Sequence, residues 1–254
     1  LAGSLAWDRV RLLAHLTDPV SPSVSITYRQ WVKKRAAGYP LQYLTGCQEF
    51  MSLEFEITPG VLIPRDDTEV LVETVLGLKP KVGANPAIVD VGTGSGIIGV
   101  ALKKYWPAAR LYAVDISSQA LKVARTNALR HQVEIDFYLG DLLTPFLANH
   151  SFDIIVSNPP YIPSRAINEL PAEVAKEPRL ALDGGANGLD FYPSLARDSQ
   201  KLLVQEGWLA VEIGSDQGAE VVAILKDNGF TQVQLVQDYA GLDRVVLGQL
   251  RVKS

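Results

Sequence analysis

The run "AIVDVGTGSGIIGVALKKYW" (residues 87–106) changes character twice. Residues 87–92 are apolar on both faces, as a strand inside a sheet requires. Glycines at 92, 94 and 96 then break the run. From Ile97 to Trp106 the apolar positions recur at helical spacing. A buried strand, a glycine turn and a helix make the first part of a β–α–β unit. The same alternation continues downstream. "RLYAVD" (110–115) reads as a second strand and "SQALKVARTNALR" (118–130) as a helix. "VEIDFYLGD" (133–141) and "FDIIVSN" (152–158) read as the third and fourth strands. A helix over 189–203, a fifth strand "GWLAVEIG" (207–214) and a helix ending at Gly229 follow. "QVQLVQDY" (232–239) and "RVVLGQL" (244–250) are separated by too few residues for a crossover, so they must run antiparallel. The expected fold class is α/β: a doubly wound, mostly parallel sheet with one reversed strand near its C-terminal end.

Residues 1–86 follow another pattern. "AWDRVRLLAHL" and "YRQWVKKRAAG" predict short helices, with Trp7 and Trp31 in the core of a small domain. "CQEFMSLEFEITPGVLIP" (47–64) predicts a two-stranded ribbon, with Pro59-Gly60 nearby as turn material. "DDTEVLVETVLGL" (66–78) predicts a helix capped by Asp or Thr, and 79–86 a linker. The expected organisation is a helical docking domain over 1–46, a ribbon and helical connector over 47–85, and a ligand-binding α/β domain over 86–254.

Composition narrows the function. The 254 residues carry a net charge of −4, which argues against a chain whose main task is gripping bare nucleic acid. Cys47 is the single cysteine, so an internal disulfide is excluded. His15, His131 and His150 lack the spacing of a zinc site, so no metal is expected. No apolar run has the roughly 18 residues a membrane span needs. A cytoplasmic location is the expectation.

Four motifs carry the chemistry. The glycine turn suits a nucleotide-type ligand, because glycine lets a backbone turn sharply and a ligand come close. Gly94-x-Gly96-x-x-Gly99 also satisfies the dinucleotide pattern, so NAD and S-adenosylmethionine both remain at this point. Asp115, at the tip of the second strand, is placed to accept ribose hydroxyls or to cap the next helix with Ser117 or Ser118. Asp141, at the tip of the third, can accept an exocyclic amine while Leu142 packs on the ring. The fourth strand runs into Asn158, Pro159, Pro160 and Tyr161. Proline cannot donate to a strand ladder and fixes φ, so the carbonyls there keep their direction. An asparagine oxygen and a proline carbonyl can each accept one N–H of a planar amide or aromatic amine, and Tyr161 offers a flat face. Hydride transfer has no use for such an arrangement, which favours S-adenosylmethionine over NAD. All four motifs fall on one edge of the sheet.

Together these residues resemble the class I S-adenosylmethionine-dependent amino-methyltransferases bearing an Asn-Pro-Pro-Tyr motif. The flanks "PLQYLTGCQEF" (40–50), "LIPRDDTEVLVE" (62–73), "EPRLALDGGANGLDFY" (177–192), "VEIGSDQG" (211–218) and "DYAGLDRVV" (238–246) are similar to those of the PrmC/HemK family. That resemblance implies methyl transfer to the glutamine of the Gly-Gly-Gln loop of class I peptide chain release factors, with S-adenosylhomocysteine as product. It implies a Rossmann-like sheet of order 3-2-1-4-5-7-6, a monomer, and no membrane or direct nucleic-acid substrate. A base amine of RNA or DNA is the alternative acceptor. Carried over by position, the cofactor residues are Asp90, Gly92, Thr93, Gly94, Ser95, Gly96, Asp115, Ile116, Asp141, Leu142 and Asn158. Asn158 and the Pro159 carbonyl would hold the carboxamide, with Pro160 and Tyr161 shaping the slot. Arg65, Thr68 and Glu69 would lie at its mouth, unless Arg65 merely pairs with Asp66 or Glu69 on the surface. The sequence departs from the family pattern in "ANGLD" (186–190) and "GLDR" (241–244), both expected outside the core site. The proline-rich stretch 161–187 would form a lid or substrate-facing loop.

Overall fold

In the computed structural model, residues 1–148 and 150–251 are described. Four short helices come first: α1 (Ala2–Leu5), α2 (Arg9–Ala14), α3 (Pro22–Ala36) and α4 (Leu41–Thr45). Asp8 caps α2 and Ser21 caps α3, each by accepting a backbone N–H three residues on. Among the described residues, α1–α3 bury no side chain completely. Trp7 and Trp31 are therefore half-buried rather than core, because helices this polar have little apolar surface to close over them. The bundle is tied to the rest through α4, where the Tyr43 hydroxyl donates to the Val61 carbonyl at 2.6 Å.

The ribbon forms from β1 (Cys47–Phe50) and β2 (Leu53–Glu56). Its turn is Met51-Ser52, not Pro59-Gly60: both turn residues have φ near +50° to +58°, as a two-residue hairpin demands. Met-Ser lacks the Asn-Gly signal of such turns, which is why sequence pattern pointed elsewhere. Pro59-Gly60 instead bends the chain against the sheet domain, where Gln119 donates to the Pro59 carbonyl at 2.8 Å. A single 3₁₀ turn (Asp66–Thr68) leads into α5 (Glu69–Leu76), with no side-chain cap from Thr68.

The α/β domain contains β3 (Ala87–Val91), α6 (Ile97–Tyr105), β4 (Arg110–Asp115), α7 (Ser118–Arg130), β5 (Ile135–Leu139) and β6 (Phe152–Ser157). Beyond it come α8 (Phe191–Leu202), β7 (Leu203–Glu212), α9 (Gly218–Asp227), β8 (Phe230–Gln237) and β9 (Asp243–Leu250). The seven-stranded sheet has the order β5-β4-β3-β6-β7-β9-β8. The β3–β4, β3–β6, β4–β5 and β6–β7 pairs are parallel, whereas β9 runs antiparallel to both its neighbours. This is the expected 3-2-1-4-5-7-6 sheet with its one reversed strand.

The sheet is buried on both faces, and each face has its own core. One packs α5, α6, α7 and the ribbon around Phe50, Phe55, Leu71, Leu102 and Trp208. The other packs α8 and α9 around Phe146, Phe152, Tyr192, Leu195 and Leu209. Side chains that alternate across a strand feed both cores, so every inner strand must be apolar along its length. No described helix is long and apolar enough to cross a membrane.

Candidate active site

A cavity of about 340 Å³ opens at the carboxyl tips of the parallel strands. Gly92 and Gly94 wall it after β3, Asp115 and Ile116 after β4, Asp141 and Leu142 after β5, and Asn158, Pro159 and Pro160 after β6. Chain crossing from one strand tip to the next leaves a crevice there, so the sheet order creates the site. The glycine loop is pulled onto β4 by the Gly92 and Thr93 amides, which both donate to the Val114 carbonyl. A Cβ added at Gly92 would meet nothing within 4 Å and would project into open space. The Asp115 carboxylate accepts from the Gly94 amide and from the Ser117 amide, each at 2.8 Å. Ser117 in turn caps α7. Asp115 thus organises the turn and lines the cavity, while the helix cap itself is supplied by Ser117. Burial pushes the Asp115 pKa up, against those two amide bonds.

Not every residue of the glycine turn faces the cavity. Thr93, Ser95 and Gly96 lie in the loop but off the cavity wall. Thr93 and Ser95 are buried, and Gly96 sits at the N-cap of α6 with φ +85°. A Cβ at Gly96 would come within 3.0 Å of the Ala124 Cβ and 3.1 Å of its Cα, so close helix packing requires that glycine. Asp90 is wholly buried behind the loop. One of its oxygens accepts from the Thr93 hydroxyl at 2.6 Å and the Gly99 amide at 3.1 Å. Burial raises its pKa to about 6. These residues shape the turn from behind the cavity wall. The wall itself fits S-adenosylmethionine in the chemistry of its donors and acceptors: two glycines for close approach, carboxylates at 115 and 141, and apolar Ile116 and Leu142.

A second cavity, of about 240 Å³, adjoins the first, and Leu62, Asn158, Pro159 and Ala181 wall both. Its walls include Leu62, Arg65, Tyr161, Ile162 and Glu212. The Asn158 Nδ2 donates to the Thr68 hydroxyl at 3.2 Å, which leaves Oδ1 as the acceptor open to a ligand. The Tyr161 hydroxyl reaches Glu212 at 3.4 Å. Glu212 ends β7 and is 1% exposed. Burial raises its pKa to about 7, opposed by a hydrogen bond from Thr68, the charge of Arg244 and the Tyr161 hydroxyl.

Of the three connector residues expected at the mouth, only Arg65 lines the second cavity. It pairs with Glu177, not with Asp66 or Glu69. Glu177 is buried, and its other oxygen accepts from the Ile63 amide at 2.9 Å. The connector is thereby clamped to the 161–187 segment. Thr68 is buried behind Asn158 and does not face the cavity. Glu69 accepts from the Met51 amide and braces the ribbon. Sequence reasoning assigned no role to Glu177, Glu212 or Arg244, although all three lie inside the flanking motifs. Arg244 holds Asp238 and Asp67 and lies close enough to Glu212 to act on its charge.

Fold and site together define a Rossmann-like methyltransferase, and the comparisons with known proteins agree. Residues 66–185 match the family described as the methyltransferase small domain, and residues 1–46 the PrmC N-terminal domain. A methyltransferase structure from Pyrococcus furiosus superposes with a TM-score of 0.60 at 16% identity, covering 90% of this chain and all of that one, a likeness of fold alone. The release factor glutamine methyltransferase of Moorella thermoacetica is 50% identical over 99% of this chain and 89% of its own length. That of Geobacter sulfurreducens is 43% identical, over 98% and 87%. The chain belongs to the release factor glutamine methyltransferase family.

Proposed function

We propose that this enzyme moves the methyl group of S-adenosylmethionine to the side-chain nitrogen of the glutamine in the Gly-Gly-Gln motif of class I peptide chain release factors. The observation that carries the reading is the wall shared by the two cavities. Asn158 and Pro159 line both the strand-tip crevice and the second cavity, of about 240 Å³, which has room for a glutamine side chain. Gly92, Gly94, Asp115, Ile116, Asp141 and Leu142 would hold S-adenosylmethionine, which would supply an activated methyl group and give S-adenosylhomocysteine as the other product.

The chain's own residues perform the rest. An amide nitrogen is a weak nucleophile because its lone pair is delocalised, so aiming it accounts for most of the gain. The Asn158 Oδ1 and the Pro159 carbonyl accept the two N–H groups and direct the nitrogen toward the shared opening. The same acceptors strengthen as those protons acidify during transfer. Tyr161 and Pro160 hold the plane of the carboxamide. The proton leaves afterwards to water. Asn158 through Tyr161 are the residues that touch the acceptor, and Arg65 edges the slot. A docking domain over 1–46, a connector over 47–85, action as a monomer and a cytoplasmic location belong to the same proposal.

The test is methyl labelling. The protein is incubated with labelled S-adenosylmethionine and, separately, a class I release factor, bulk RNA and DNA. Label in the release factor that disappears when its Gly-Gly-Gln glutamine is changed supports the reading. Label in RNA or DNA alone overturns the acceptor while leaving the methyl-transfer site intact.

A further inference from the structure

Two constraints meet at Gly38. It follows the end of α3 at φ +78°, the left-handed conformation in which helices commonly stop on glycine. A helix end alone leaves the space beside such a glycine open. Gly46, which ends α4 at φ +77°, shows this, since a Cβ there would meet nothing within 4 Å. At Gly38 a Cβ would instead lie 2.7 Å from the Ala172 Cβ, well inside ordinary contact. Next to this contact, the Arg35 Nη1 pairs with the Glu173 Oε2 at 2.6 Å. Both side chains of that pair are half-exposed, so it contributes little by itself. The close approach at Gly38 is the firmer of the two links.

Ala172 and Glu173 belong to a turn, 170–177, that also borders the site. Leu170 and Val174 line the second cavity, the acceptor slot. The Ala175, Lys176 and Glu177 amides donate to the Pro171, Glu173 and Val174 carbonyls, so the turn holds together as one piece. Its far end is fixed to the connector, where buried Glu177 pairs with Arg65 and accepts from the Ile63 amide. Its near end rests on the chain that leaves α3. That chain is itself fixed, because Pro40 is buried and the Tyr43 hydroxyl donates to the Val61 carbonyl.

We infer that the N-terminal helices set the shape of the acceptor slot, with Gly38 and Arg35 as positioning residues that act through the 170–177 turn on Leu170 and Val174. The inference rests on the glutamine reading above. The methylene arm of a glutamine is apolar, and Leu170 and Val174 join Leu62, Ile162 and Leu182 as apolar lining for it. A shift of the turn moves that arm, and the carboxamide nitrogen leaves its line to the methyl group. Such a role differs from gripping the partner. It acts on kcat, whereas a lost grip acts on KM.

Gly38→Ala tests the link. Ordinary contact begins at 3.4 Å, so the 2.7 Å approach must open by about 0.7 Å and the turn must give. A misplacement of about 1 Å can cost about 10²-fold in rate, so kcat on a class I release factor should fall about ten-fold. KM for the release factor and S-adenosylmethionine affinity by calorimetry should stay within about two-fold, because no residue from 170 to 177 walls the cofactor cavity. Adding Ala172→Gly moves the methyl group across the contact. The atoms nearest the new Cβ are then the backbone carbons of residue 172, at 3.5 Å and 3.7 Å. This double variant keeps the backbone strain of Gly38→Ala and should still recover most of the lost kcat. Arg35→Gln with Ala172→Gly loosens both links without strain at Gly38 and should lower kcat several-fold. Hydrogen exchange at the Ala175, Lys176 and Glu177 amides gives a readout apart from activity. It should quicken in Gly38→Ala and in Arg35→Gln with Ala172→Gly, and return toward wild type in Gly38→Ala with Ala172→Gly. A Gly38→Ala loss confined to KM, an unchanged kcat, or a methyl-swapped variant no better than Gly38→Ala overturns the inference. A wild-type enzyme that leaves the release factor unlabelled overturns the glutamine reading instead. The exchange rates still decide the link in that case, and unchanged rates in Gly38→Ala refute it.

Discussion

Asn127 offers the sharpest structural test, because one side chain ties three parts of the molecule together. It sits in α7, fully buried. Its Oδ1 accepts from the Glu56 amide at 2.7 Å, and its Nδ2 donates to the Glu56 carbonyl at 3.0 Å and the Ser95 carbonyl at 2.8 Å. The ribbon and the glycine turn are therefore both pinned to α7. Asn127→Leu keeps the volume and removes all three bonds. Each contributes about 1 kcal/mol net, and the groups left behind in partly buried positions add an unsatisfied-polar cost, for a total of about 3–5 kcal/mol. Asn127→Asp should be worse than Leu. It keeps the acceptor for the Glu56 amide but sets an acceptor against two carbonyls and buries a charge. Urea unfolding of the three proteins reads both numbers, with the slope unchanged if only native contacts are lost. Release of the Ser95 carbonyl also frees the glycine turn, so S-adenosylmethionine affinity should fall several-fold in Asn127→Leu. A loss below about 1 kcal/mol, or an Asp variant as stable as the Leu variant, would refute the pinning argument.

Asn158→Ala should lower kcat on the order of 10²–10³-fold, the range seen when one oriented transition-state hydrogen bond is removed, while cofactor affinity by calorimetry stays near wild type. Gly96→Ala places a side chain at φ +85° and drives a Cβ to 3.1 Å from helix backbone. It should cost about 3 kcal/mol in a denaturant titration and weaken cofactor binding. Stability should rise as pH falls from about 7 toward 4.5, the reverse of ordinary acid weakening. Burial raises Glu212 to about 7 and Asp90 to about 6, so in that window the folded chain binds protons that the unfolded chain has released. The penalty for ionising them is absent below the unfolded values and full above the folded ones. Thermal melts across pH 5 to 8 should show this slope and should flatten in Glu212→Gln. Asp183 and Asp238, held below the usual carboxylate range by the Ser164 hydroxyl and the Leu242 amide respectively, oppose it only at lower pH.

Local chemistry made the strand tips legible. Each strand of the cofactor edge announces its end by a residue that cannot continue it, whether glycine, a capping aspartate or proline, and those residues form the walls. The reversed strand was legible for a similar reason, since a short connection permits only one direction. What stayed hidden joins positions far apart in sequence. Arg65 and Glu177 are separated by 112 residues, and Tyr161 and Glu212 by 51. No periodicity or turn rule links such pairs, so the sequence offers Arg65 only its near neighbours as partners and shows Glu212 as one more strand residue. The split of the glycine turn into ligand-facing and packing residues was hidden too. Gly92 and Gly96 carry the same letter, yet one faces open space and the other a helix.

The two prolines at the tip of β6 show why the rim is rigid rather than merely stiff. Prolines fix φ, but the carbonyls that matter also need neighbours that hold the peptide planes. The Ile162 amide donates to the Leu182 carbonyl at 3.0 Å, and the Gly184 amide returns to the Ile162 carbonyl at 2.9 Å. Gln217 donates to the Tyr161 carbonyl at 3.0 Å and to the Gly188 carbonyl at 3.1 Å. The far strand of this clasp must come very close. A Cβ at Gly184 would lie 2.7 Å from the Pro160 carbonyl oxygen, and one at Gly188 would lie 2.2 Å from that of Tyr161. The stretch 161–187 is thus anchored at both ends onto the site rather than hinged beside it. The departure at 186–190 fits the same geometry: Ala186 and Asn187 are exposed, while Gly184 and Gly188, which press on Pro160 and Tyr161, are buried. Change is confined to the outside of the clasp, where it leaves the carbonyls of the rim undisturbed.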